Sequence, residues 1–120
     1  MKKVLIVEDY ADSRKFLKTL VESYGYRVIE AVDGEEAVQM AKYGHPDLIF
    51  MDLAMPVMDG LATTRVIRGF DNIERMPIVA VSAFGQEYYR QALEAGCDDL
   101  ISKPLDIAAL EPILDKYLSH

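Results

Sequence analysis

The sequence predicts an α/β domain built on a doubly wound, five-stranded parallel sheet. Three observations carry this. Five short apolar runs alternate with segments whose apolar residues recur at helical spacing. Each connection is long enough to hold a helix, as parallel strands require. The central run Leu48-Ile49-Phe50-Met51 shows no alternation, the pattern of a strand covered on both faces. Right-handed crossovers remove most other arrangements.

The first strand is Val4 to Val7, closed by Glu8-Asp9. Residues 12 to 24 then change period. Phe16, Leu17, Leu20, Val21 and Tyr24 form one helical stripe, with Arg14, Lys15, Lys18 and Glu22 off it. Asp12 is the expected N-cap and Gly25 the stop. Arg27 to Ala31 is the second strand. Asp33-Gly34 opens a helix whose inner face is Ala37, Val38, Met40 and Ala41, and Gly44-His45-Pro46 ends it. The third strand ends in Asp52. Leu53 to Gly60, with Pro56 and Gly60, cannot continue it. A third helix runs from Gly60 to Gly69, and Phe70 to Arg75 reads as a surface loop. Pro77 to Ser82 is strand four, Gln86 to Ala95 helix four, and Leu100 to Ser102 strand five. The last helix carries Ile107, Leu110, Ile113, Leu114, Tyr117 and Leu118 on one face. Because proline is tolerated in a first turn and disruptive further in, this helix is expected to begin near Pro112.

A chain of 120 residues with one cysteine, Cys97, has no internal disulfide and suits a single domain in a reducing compartment. The net charge of −7 argues against nucleic-acid binding through a general basic surface. No stretch has the length of a membrane span, and the N-terminal apolar run is too short for a signal peptide. A cytoplasmic protein is expected.

In a parallel sheet the carboxyl ends of the strands share one edge, where ligands bind in open α/β folds. Here those ends carry Glu8-Asp9, Asp52, Ser82 and Lys103. Three carboxylates held together repel and raise one another's pKa, and a hard cation such as Mg²⁺ relieves this. Lys103 supplies a compact positive charge suited to phosphate, and Ser82 a small donor and acceptor. The set points to phosphoryl chemistry, with Asp52 as the nucleophile that forms an acyl phosphate.

In these pieces the sequence resembles the receiver domains of two-component response regulators. The likeness covers essentially the whole chain, 1–120. It runs through Val4-Leu5-Ile6-Val7-Glu8-Asp9, Ala31-Val32-Asp33-Gly34-Glu35-Glu36-Ala37, His45-Pro46-Asp47-Leu48-Ile49 and Met51-Asp52-Leu53. It continues through Met55-Pro56-Val57-Met58-Asp59-Gly60, Pro77 to Ala83, Ala92 to Gly96 and Ser102-Lys103-Pro104-Leu105. The resemblance implies a flavodoxin-like sheet of order 2-1-3-4-5, with Asp52 as phosphoacceptor. It implies Glu8, Asp9, Asp52 and the Ala54 carbonyl as Mg²⁺ ligands, Ser82 as the switch hydroxyl, Lys103 as the phosphate-contacting lysine and a cis Lys103-Pro104 bond. The implied donor is a sensor histidine kinase or a histidine phosphotransfer protein. The implied output is a partner surface of helix four, strand five and helix five that responds to phosphorylation. Such a domain is a switch that assists its own phosphorylation and dephosphorylation, not a turnover enzyme. The chain ends just after the fifth helix, so either a single-domain regulator or a receiver segment of a longer regulator or hybrid kinase is expected.

Two rivals fit less well. A phosphatase of the haloacid dehalogenase type would want a second Asp where Ala54 stands, and a cap insertion. A flavin-binding module would want a Ser-, Thr- and Gly-rich loop where Glu8-Asp9-Tyr10 stands. One departure from the receiver pattern is Leu100, where many members carry an aromatic residue three positions before the lysine. Phe84, two residues after Ser82, is expected to lean over the site and slow attack by water on the acyl phosphate. Cys97 and the methionines Met51, Met55 and Met58 read as packing residues, His45 and His120 as loop and terminus. Tyr88 and Tyr89, adjacent on a helix, point different ways.

Overall fold

The computed structural model describes residues 1–55, 58–70 and 75–119. Its strands are β1 (Lys3–Val7), β2 (Arg27–Ala31), β3 (Leu48–Asp52), β4 (Ile78–Ser82) and β5 (Asp99–Ser102). Its helices are α1 (Ala11–Ser23), α2 (Gly34–Tyr43), α3 (Gly60–Arg68), α4 (Tyr89–Ala95) and α5 (Ile107–Leu118). All pairings are parallel, in the order β2-β1-β3-β4-β5, as the family resemblance implied.

The period-two alternation of the strands builds two cores. Leu5, Val7, Ile49, Met51, Ile78, Ala80 and Leu100 face α2, α3 and α4 through Ala37, Ala41, Ile67 and Ala92. Val4, Ile6, Leu48, Phe50, Val79, Val81 and Ile101 face α1 and α5 through Leu17, Val21, Leu110, Ile113, Leu114 and Leu118. Every residue of β3 is buried, which is why its sequence shows no alternation. Phe50 is the largest fully buried side chain, and its truncation to alanine carries a cost of about 3–5 kcal/mol.

Caps and close approaches fix the helix starts. Asp33 accepts from Glu36 N at 2.8 Å, Asp59 from Ala62 N at 2.8 Å and Asp106 from Ala109 N at 2.9 Å. Gly60 starts α3 directly against β3. Its N–H donates to Leu53 O at 3.2 Å, and a Cβ there would collide with Asp52 O and lie 2.8 Å from Leu53 Cα. No other residue fits that approach.

Four expectations shift. Asp12 does not cap α1. Tyr10 occupies that position without a side-chain capping bond, and Asp12 lies in the first turn, where its charge suits the helix dipole. Phe16 is 52% exposed, because Leu17 and Val21 suffice to cover that side of the sheet. Helix four begins at Tyr89, not Gln86. Gly85 takes φ +60, and the bonds Glu87 N to Phe84 O and Tyr89 N to Gln86 O close tight turns before the helix. Tyr88 therefore precedes α4. It is half-buried, while Tyr89 is exposed. Helix α5 begins at Ile107, so Pro112 lies inside it. Ala108 and Pro112 are both exposed, leaving the carbonyl that Pro112 cannot serve within reach of water. Most of the loop expected at Phe70 to Arg75, part of the segment after β3 and His120 lie outside the described residues.

Candidate functional site

The ladder does not stop where the strands do. Glu8 N donates to Ala31 O at 3.1 Å, Leu53 N to Val81 O at 3.1 Å and Lys103 N to Ser82 O at 2.8 Å. These bonds hold the residues just past β1, β3 and β5 at the carboxyl edge of the sheet. Asp52 is in register with Val81, and Ser82 is the next residue of β4, paired with Ser102. The predicted residues therefore converge on one edge.

Glu8, Asp52 and Ser82 are buried, Lys103 is half-buried and Asp9 is exposed. Carboxylate oxygens of Glu8, Asp9 and Asp52 lie within 4.8 Å of one another. Lys103 Nζ donates to Glu8 Oε1 at 2.5 Å and stands 3.6 Å from Asp52 Oδ2. Asp52 Oδ1 accepts from Ala54 N at 3.1 Å, and Glu8 Oε2 from Tyr10 N at 3.3 Å. Ser82 Oγ accepts from Phe84 N at 3.1 Å. Phe84 itself is exposed and meets Tyr88 edge-on, with ring centroids 5.6 Å apart. Lys103-Pro104 is cis.

The charges are out of balance. Burial pushes the Asp52 carboxyl up to about 7, and the Glu8 carboxylate beside it pushes the same way. Burial acts on Glu8 as well, but its contacts with Asp52 and Lys103 outweigh it and hold Glu8 below its ordinary value. Burial opposes the Lys103 ammonium, yet the two carboxylates leave its pKa raised. Once Asp52 ionises, two buried carboxylates face one ammonium and leave an excess of negative charge. An all-oxygen set of this kind fits a hard divalent cation, with Glu8, Asp9 and Asp52 as the side chains able to hold it.

A cleft of about 560 Å³ opens beside Asp52 and Lys103, walled by Phe16, Leu17, Pro104 and Leu105. Phe16, on the apolar stripe of α1, is half exposed and lines this opening. The polar support behind the acids was missed in the sequence reading. Arg14 Nη1 donates to Glu8 O at 2.9 Å and Nε to Glu30 Oε1 at 3.2 Å. Arg14 stood out only as an off-stripe residue, and its link to β2 depends on tertiary packing.

The sequence matches the response regulator receiver domain family over residues 4–115. It is 34% identical to the polar-differentiation response regulator DivK of Brucella ovis over 118 residues, covering 98% of this chain and 96% of that one. Among solved structures, it is similar to the receiver domain of sensor histidine kinase PA1611 from Pseudomonas aeruginosa PAO1, which has a magnesium ion coordinated in its active-site cleft. That likeness has 36% identity and TM-score 0.89, covering 99% of this chain and 98% of the other. It is also similar to the receiver domain of the response regulator Ssk1, solved with the Saccharomyces cerevisiae histidine phosphotransfer protein Ypd1. There the identity is 30% and the TM-score 0.86, covering 97% of this chain and 88% of the other.

Proposed function

The chain belongs to the response regulator receiver family, and from that premise we propose that Asp52 is the phosphoacceptor of a Mg²⁺-dependent switch spanning residues 1–120. Receiver domains are signalling switches of two-component phosphorelays, not turnover enzymes. The observation that carries the assignment is the meeting of Asp52 with Glu8, Asp9 and Lys103 at one sheet edge.

The donor is a phosphorylated histidine of a sensor kinase or phosphotransfer protein. The PA1611 domain belongs to a sensor histidine kinase, and the Ssk1 domain was solved with a phosphotransfer protein, which supports this class of partner. An Asp52 oxygen forms the new bond to phosphorus as the imidazole nitrogen–phosphorus bond breaks, and the imidazole leaves with its electron pair. Asp52 Oδ1 is steadied by Ala54 N, and the open cleft beside it leaves room for the donor ring. Glu8, Asp9 and Asp52, with the Ala54 carbonyl, would hold Mg²⁺, which would supply positive charge to offset the carboxylates and the phosphoryl oxygens. Lys103, 3.6 Å from Asp52 Oδ2, adds its ammonium.

Phosphorylation replaces a charge near −1 with roughly −2 and adds acceptor oxygens. Ser82 gives up its present bond from Phe84 N and turns its hydroxyl to a phosphoryl oxygen. The loop after β4 follows, shifting the population of the α4–β5–α5 face. Tyr89, Leu93 and Ile107, exposed on α4 and α5, give that face apolar contacts for a partner. Glu8, Asp9, Ser82 and Lys103, around Asp52, assist gain and hydrolysis of the phosphoryl group.

The test is incubation of the whole chain with a small phosphodonor, with and without Mg²⁺, followed by intact mass. One phosphoryl group is expected, dependent on Mg²⁺ and absent in Asp52→Asn. A wild-type chain that stays unmodified, or an Asp52→Asn chain that gains the same mass, overturns the assignment.

A further inference from the structure

We propose that Arg14 is a positioning residue for the cation-binding acids, fixing through the Glu8 carbonyl the peptide plane from which Asp9 departs. This rests on the reading that Glu8 and Asp9 hold Mg²⁺. Strand β1 ends at Val7. Beyond it the Glu8 N–H still reaches Ala31 O, while the Glu8 carbonyl accepts from Arg14 Nη1 at 2.9 Å. The Glu8 carbonyl and the Asp9 amide belong to one rigid plane, so holding the carbonyl sets the direction in which Asp9 leaves the chain. Asp9 is exposed, and its aim is therefore governed from the main chain.

Arg14 is suited to this. Its side chain is only 19% exposed, and Glu30 Oε1 holds the guanidinium from behind at 3.2 Å. Lys18 Nζ reaches the other Glu30 oxygen at 3.4 Å. The backbone of Arg14 also donates to Tyr10 O, the first turn of α1. One residue thus ties the start of α1, the end of β1 and the edge strand β2 together behind the acids. A guanidinium there would repel a divalent cation, and Glu30, shared with Lys18, offsets part of that charge. Groups that orient metal-binding residues from behind typically change metal affinity by about 10–100-fold when removed.

The experiment is calorimetric titration of the intact chain with Mg²⁺, with thermal midpoints in EDTA recorded for the same proteins. Arg14→Gln is expected to weaken Mg²⁺ binding about 10-fold. Arg14→Lys, which keeps a donor for the Glu8 carbonyl, is expected to restore part of that loss and covers the case in which Arg14→Gln does not fold. In an Asp9→Asn background Arg14→Gln should add little, because the residue whose aim it sets has lost its charge. Arg14 variants that fold and bind Mg²⁺ as wild type overturn the inference, as do losses that simply multiply with Asp9→Asn. Wild-type protein that takes up no Mg²⁺ overturns the reading of the acid cluster as well, which separates the two failures.

Discussion

The ammonium of Lys103 rests on Glu8, at 2.5 Å, and only approaches Asp52, at 3.6 Å. The acid at the end of β1 thus takes the charge that the central acid lacks, and Asp52 keeps its proton up to about 7.

Glu8→Gln removes the negative charge beside Asp52 and frees Lys103 to move toward it. The Asp52 carboxyl, followed by carbon-13 NMR without metal, is expected to titrate about one unit or more lower than in wild type. Mg²⁺ binding weakens in the same variant. An unchanged Asp52 titration would mean that burial alone sets its value.

Asp52 also links stability to pH. Its folded value of about 7 lies above its ordinary 3.8. Between those values the folded protein holds a proton that the unfolded chain has released. Metal-free stability from this group therefore falls as pH rises from about 4 to about 7, and stays low above that. Asp52→Asn, which carries no ionisable acid, is expected to be more stable than wild type by about 1–2 kcal/mol at pH 8 in EDTA. At pH 4 the gap closes. Urea unfolding at the two pH values measures it.

Phe84 accounts for a third outcome. Its N–H holds Ser82 Oγ, and its ring borders a small cavity with Leu53, Ala54 and Tyr88. If Asp52 is phosphorylated as proposed, Phe84→Ala is expected to lose phosphate several-fold faster. An unchanged rate of dephosphorylation would remove Phe84 from the account.

A fourth concerns stability far from the site. Asp98 accepts from Arg68 at 2.9 Å, from Arg75 at 2.6 Å and from Ile78 N at 2.9 Å, and Arg68 also binds Gly96 O and Met76 O. Asp98→Ala leaves a half-buried guanidinium and a strand-start N–H without their acceptor. A loss of about 2–3 kcal/mol is expected by denaturant unfolding, with Mg²⁺ affinity kept.

The sheet and the acids were legible because each site residue follows an apolar run, and a parallel sheet sends all such ends to one edge. What escaped depended on partners distant in sequence. The exposure of Phe16 follows from how little of α1 the sheet needs. Arg14 finds Glu30 sixteen residues away, and Arg68 finds Asp98 thirty residues away. The late start of α4 was hidden because the helical spacing from Gln86 onward gives no sign that Gly85 adopts positive φ. Pro112 misled in the other direction: a rule about helix interiors gave way to an exposed turn and a strong cap at Asp106.

The contact between Gly60 and the main chain at Asp52 has one more implication. A helix braced against the Asp52 carbonyl leaves the end of β3 little freedom to recoil, should Asp52 take up a phosphoryl group as proposed. Gly85, by contrast, has nothing within 4 Å of where a side chain would stand. On the proposed phosphorylation of Asp52, the mechanical response is therefore expected to go sideways, out of the anchored middle of the sheet and toward the open bend at Gly85 that follows its neighbour.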